Sequence, residues 1–175
     1  MDIQADGLVH HPRELVFRTL RDRLGDIVAF MPNVTAIDPI DRVEEGPGRH
    51  SIVNVWHGEG AIPAVARRFI KPNMLQWTDR AVWDEAAWTC EWDQETAFFA
   101  NRVGCSGRNH YVEVEPGVTG IEIRGTFSLR LKGLAGLPGP LARRATPAVE
   151  RFIVGLITPN LATTAAAAEQ FLSEA

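Results

Sequence analysis

Between Thr35 and Lys132 the apolar residues of this chain recur at every second position, and from Val149 onward they recur at every third or fourth. The first period belongs to strands with one buried face, the second to a helix with one buried stripe. A run of antiparallel strands followed by a C-terminal helix is therefore the frame that any fold must satisfy. The clearest strand is Gly120 to Lys132, with Ile121, Ile123, Phe127, Leu129 and Leu131 on one face and Glu122, Arg124, Thr126, Ser128, Arg130 and Lys132 on the other. That alternation suits an antiparallel sheet with one face wet. Leu75, Trp77, Ala81 and Trp83 mark a second strand, and Trp88, Cys90 and Trp92 a third. His50 to Glu59 and Gly104 to Glu115 add two more, the latter ending at a Pro116, Gly117 turn.

Ahead of this meander, Asp2 to His10 reads as a strand and Pro12 opens a helix. Its apolar stripe is Val16, Phe17, Leu20 and Leu24, with Glu14, Arg18 and Asp22 as charged neighbours four apart, and Gly25 ends it. A helical turn over Asp26 to Phe30 must stop before Pro32. Within the meander, Ala61 to Pro72 is an insertion whose helical turn starts at Pro63 and halts at Pro72. After a Gly-, Leu- and Pro-rich loop from Gly133 to Ala142, Thr146 and Pro147 supply the cap and first residue of the long helix. Val149, Phe152, Ile153, Leu156, Ile157 and Leu161 form its stripe, and Pro159 predicts a kink.

With 175 residues, 45% of them hydrophobic, the chain can bury a core without disulfides or a structural metal, and no linker or repeat divides it, so residues 1–175 form one domain. Cys90 and Cys105 lack metal-ligand spacing and read as free buried thiols. Eighteen basic residues against 22 acidic ones give a net charge of −4, which argues against nucleic acid as a partner. No leader or apolar run of membrane-spanning length is visible, so the expectation is a cytoplasmic protein. No two of the five histidines stand four apart, no serine has a nucleophile-elbow setting, and no phosphate loop occurs. Neither a metal nor another cofactor is expected.

Strand, two short helices, antiparallel strands and long helix, in that order, make an α+β chain that resembles the helix-grip fold of the START-like (SRPBCC) superfamily. That superfamily includes the birch pollen allergen, polyketide cyclase/dehydrase and coenzyme Q-binding families. The local pieces that carry the resemblance are Phe30, Met31, Pro32, Asn33 and Val34, similar to the turn after the second helix in those families, and the final helix through Asn160, Leu161 and Phe171. A weaker similarity is to PRELI-like lipid transfer proteins. It rests on Ile62, the Pro63 to Phe69 lid and the strand Asp79, Arg80, Ala81, Val82, Trp83, Asp84. The resemblance implies a curved sheet wrapped around the C-terminal helix, with a cavity between them.

Trp56, Trp77, Trp83, Trp88, Trp92 and Phe127 fall on inner strand faces and would line that cavity with aromatic surface, facing Phe152, Leu156 and Asn160 of the helix. The same aromatics would equally serve as plain core. Gly155, Ala162, Ala165 and Ala166 are small residues that leave volume. Asp79 shares the face of Trp77 and Trp83, and Arg108 and His110 share a face with Val112 and Val114, so all three are expected inside. They would form an internal ion pair, or else orient the polar end of a ligand. Arg67, Arg68 and the 133–144 loop with Arg143 and Arg144 could touch an anionic membrane transiently, or be ordinary solvated arginines. The leading expectation is binding and transport of a hydrophobic small molecule or lipid. The alternatives are a polyketide cyclase/aromatase-like enzyme that uses the polar cavity residues, and a protein-binding regulatory module.

Overall fold

Seven strands pair into one antiparallel sheet: β1 (Asp2–Val9), β2 (Val34–Gly46), β3 (Arg49–Gly58), β4 (Gln76–Asp84), β5 (Thr89–Thr96), β6 (Val103–Glu115) and β7 (Val118–Leu129). Their spatial order is β1-β7-β6-β5-β4-β3-β2, so β2 to β7 form a simple meander and β1 adds to its far edge. The computed structural model describes residues 1–62, 64, 67, 70–97, 102–130 and 139–174, without the side chains of 141, 142, 145, 153, 156–158, 160 and 162.

Because β1 and β2 lie at opposite edges, the chain between them must cross the whole sheet. It does so as α1 (Arg13–Asp22) and a 3-10 helix (Leu24–Phe30), close to the sequence expectation. Val16, Phe17 and Leu20 of α1 are buried, and Phe17 meets Trp83, Trp88 and Tyr111 edge-on at centroid distances of 5.2, 5.4 and 5.1 Å. Each such ring pair adds roughly 0.5–1.5 kcal/mol beyond area burial. Glu14 and Arg18 pair as their spacing predicts, at 2.9 Å, whereas Asp22 takes Arg21 and Arg42 as partners.

The strand alternations hold on β3, β4, β5 and β7. Ile52, Asn54 and Trp56 are buried on β3, Trp77, Asp79, Ala81 and Trp83 on β4, and Cys90, Trp92, Gln94 and Thr96 on β5. On β7, Ile121, Ile123 and Phe127 are buried, while Leu131 and Lys132 lie outside the described residues. Gly117 turns the chain from β6 to β7 at φ 79°, a left-handed conformation that glycine takes without steric cost. Cys90 and Cys105 are free and buried.

The long helix α2 runs Gly139–Glu174, about 54 Å at 1.5 Å per residue. It begins earlier than the expected cap at Thr146: Pro147 sits inside the helix rather than at its first position. A proline removes one helical donor and crowds the carbonyl four residues earlier, but one or two of them need not end a helix that long. The insertion also differs, because Pro72 opens a short 3-10 turn (Pro72–Met74) instead of only closing one. Most of its expected helical turn, with Pro63, Arg68 and Phe69, lies outside the described residues, as does 131–138 of the loop before α2. Arg67 donates its Nε proton to the Ile62 carbonyl at 3.0 Å, and Arg143 and Arg144 are exposed. Among the described residues no helix is long and apolar enough to cross a membrane.

Candidate functional site

Strand register lines up side chains of neighbouring strands in rows across the inner face of the sheet. Asn54 of β3 pairs with Asp79 of β4, Asp79 with Gln94 of β5, Gln94 with Cys105 of β6, and Cys105 with Phe127 of β7. Three of the five residues in that row are polar, in the middle of a face that is otherwise apolar and aromatic. The next row runs Ile52, Ala81, Trp92, Gly107, Gly125. The two glycines make room for Trp92 and for the neighbouring backbone: a Cβ on Gly107 would stand 2.5 Å from the Trp92 ring and one on Gly125 2.8 Å, and each would also crowd a carbonyl of the adjoining strand, that of Arg124 or Ser106. Lying across them, the Trp92 indole donates from Nε1 to Asn109 Oδ1 at 2.9 Å.

Above the polar row is a cavity of about 60 Å³, enough for a few water molecules. Trp56, Trp83, Trp92 and Tyr111 supply its aromatic walls, Asn54, Asp79, Gln94 and Asn109 its polar groups, and Leu161 and Thr164 of α2 its cover. Arg21 also lines it, but its guanidinium is committed: it grips Asp22 with two hydrogen bonds of 2.8 Å and pairs with Glu85. Burial pushes the Asp22 carboxyl up, yet the hydrogen bonds from Arg21 and Arg42 outweigh it and leave this group below the usual carboxylate range.

Asp79 has the opposite environment. It is 6% exposed, and among the described residues no ion pair reaches it. Among the described residues its one hydrogen bond is donated by Gln94 Nε2, at 3.2 Å, and the buried Gln94 carbonyl oxygen has no partner there. Burial raises the Asp79 carboxyl to about 7; the Gln94 hydrogen bond opposes that rise and the charge of Asp93 adds to it. Burial likewise pushes the Cys90 thiol and the Tyr111 phenol well up and Cys105 up to about 12. Among the described residues the Tyr111 hydroxyl is buried against the Asn109 side chain without a well-formed hydrogen bond, and Trp56 Nε1 meets no acceptor.

Of the residues singled out from the sequence, Trp56, Asp79, Trp83 and Trp92 come together around this cavity. Trp77 is buried and stacks on Trp56 at 5.7 Å, and Phe127 is buried in the core; neither lines the cavity. Trp88 is not on a strand: it occupies the β4–β5 turn at φ 54°, half-buried, with the Arg13 guanidinium 4.3 Å from its ring centre. Phe152 is half-buried on α2, and the side chains of Leu156 and Asn160 lie outside the described residues.

Arg108 and His110 are corrected outright. Both point to the outer face, where Arg108 pairs with Glu91 and His110 stands 4.0 Å from Glu122, so neither can pair with Asp79. Val112 and Val114 suggested the wrong parity for β6, because Val114 lies 56% exposed near the β6–β7 turn. The inward set is Cys105, Gly107, Asn109 and Tyr111, recoverable from the sequence by extending the alternation from Cys105 and Tyr111. Gln94 follows in the same way two residues after Trp92.

The small residues of α2 need a second correction. Gly155 and Ala166 are exposed, and the Ala162 side chain lies outside the described residues. Ala165 is buried because α2 touches β1 there: a Cβ on Gly7 would come 2.3 Å from the Ala165 Cβ.

Known structures share this architecture over the full chain. TTHA0849 from Thermus thermophilus superposes with a TM-score of 0.69 at 13% identity, covering 99% of this chain and 98% of that one. The ZhuI aromatase/cyclase from Streptomyces sp. R1128 gives 0.59 at 22% identity over 98% and 95%. Ara h 8.0201 gives 0.54 at 14% over 100% and 99%. At these identities the likeness is one of fold: a curved antiparallel sheet with a long C-terminal helix. Neither a family model nor a curated protein matches this chain in sequence.

Proposed function

We propose that this START-like domain is a soluble cytoplasmic protein that binds a hydrophobic small molecule or lipid by its polar head, the part that the hollow of about 60 Å³ beneath α2 admits. The observation that carries the reading is the cavity itself: aromatic walls over a floor of Asn54, Asp79 and Gln94 suit a ligand with an apolar body and one polar end. A protein-docking module would want that space filled. Titration with an environment-sensitive apolar dye should give a saturable change in tryptophan emission, since Trp56, Trp83 and Trp92 surround the hollow. Ala81→Leu adds bulk from β4 into the same space and should weaken the signal severalfold. A flat wild-type titration overturns the reading. Carriage to or from a membrane would add a contact through Arg67, Arg68 and the 133–144 loop, which co-sedimentation with anionic vesicles tests.

One observation favours catalysis as a second reading. A carboxyl held at about 7 inside an aromatic cavity can take up and release a proton at physiological pH, as a general acid or base must. The aromatase/cyclase among the structures of like fold makes ring closure of a poly-carbonyl chain the reaction class to try. Formation of an aromatic product that Asp79→Asn abolishes would establish it.

A further inference from the structure

We propose that the ligand of this cavity carries a protonated amine, which sits between Asp79 and the Gln94 carbonyl oxygen within the walls of Trp56, Trp83 and Trp92. This rests on the cavity being a binding site and adds the chemistry of what enters it.

Two acceptors are left over on the cavity floor. Gln94 Nε2 is used on Asp79 Oδ1, so the free Gln94 Oε1 and the rest of the Asp79 carboxyl both remain, side by side in register on β4 and β5. Above pH 7, where Asp79 is ionised, a ligand that offers only a carbonyl or ether oxygen would meet acceptors with an acceptor. An ammonium group brings two or three N–H donors and the positive charge that Asp79 lacks. Aromatic side chains around a desolvated cation add attraction through their π faces.

The surroundings supply no rival cation among the described residues. From α1 comes Arg21, bound to Asp22 and Glu85; from α2 come the uncharged Leu161 and Thr164; and β3 presents the neutral Asn54. Cys90 on β5 and Cys105 and Tyr111 on β6 are pushed upward by burial and stay neutral at physiological pH. Asp93, on the outer side of β5, only adds negative charge.

Calorimetry with the full chain can compare phenethylamine with 2-phenylethanol, a neutral molecule of nearly the same shape, at pH 6 and pH 8. The amine stays protonated at both, so its affinity follows ionisation of Asp79. With that carboxyl near 7, binding should strengthen about 10-fold from pH 6 to pH 8, while the alcohol's affinity stays unchanged. Asp79→Asn should erase the preference for the amine over the alcohol and the pH dependence with it. An amine that binds no tighter than the alcohol at pH 8, or binding of neither, overturns the inference in the wild type alone. The dye titration on the same sample then reports separately whether the cavity is a binding site.

Discussion

Helix α2 meets the sheet in two different ways. At β1 it is pressed so close that Gly7 has no room for a side chain beside Ala165, with Val9 and Ala168 fully buried in the same core. Over β4 and β5, on the side of the helix that carries Leu161 and Thr164, it stands off and leaves a hollow floored by polar residues. The closed end is marked by small residues and the open end by polar ones. A small side chain on α2 signals close approach where it is buried, as at Ala165, and not where it is exposed, as at Gly155 and Ala166, whereas the buried polar side chains of the floor signal space.

The largest effect should come from the open end. Asp79 ionises near 3.8 in the unfolded chain and about 7 in the fold, so between those values the native state keeps a proton that the unfolded state has lost. Stability consequently falls as the pH rises from about 4 to about 7 and stays lowered above that. Asp79→Asn should stabilise the protein by up to about 4 kcal/mol at pH 8 and by almost nothing at pH 4, read by chemical denaturation at both. Destabilisation at pH 8 would mean that a cation compensates Asp79 and that the two ends are alike after all.

At the closed end, Gly7→Ala should cost about 1–3 kcal/mol, because its methyl group must displace Ala165. Adding Ala165→Gly should recover part of the loss, a coupling that a double-mutant cycle measures. Additive effects would show that the helix is free to move away from β1.

The smallest effect sharpens the contrast from a third place. Gly155 is exposed on α2, and among the described residues nothing lies within 4 Å of a Cβ built there. Gly155→Ala should raise stability by roughly 0.5–1 kcal/mol through helix propensity and leave dye binding unchanged. Weaker dye binding would put volume back at Gly155 and undo the distinction drawn between small and polar residues.

Much of the fold was legible because it rests on local periodicity. The period-two faces of β4, β5 and β7, the α1 stripe and the Pro116–Gly117 turn follow from residues a few positions apart, and burial of an apolar face is what such patterns express. Half of the site was legible for the same reason: Trp56, Asp79, Trp83 and Trp92 are each fixed by alternation with their own strand neighbours. Local pattern failed on β6, where Val112 and Val114 stand at the end of the strand just before the turn, half-buried and exposed, while the true inner face is made of Cys, Gly, Asn and Tyr.

The sequence by itself determined which residues each strand can turn to one side, and with them the antiparallel meander and its closing helix. Only the tertiary structure decided which residues of different strands stand in one row, which side chain meets Asp79, and whether a small residue on α2 faces a void, a neighbour or water. Those outcomes depend on register and on the distance between helix and sheet, which are set by packing summed over the whole core. No window of neighbouring residues contains that sum.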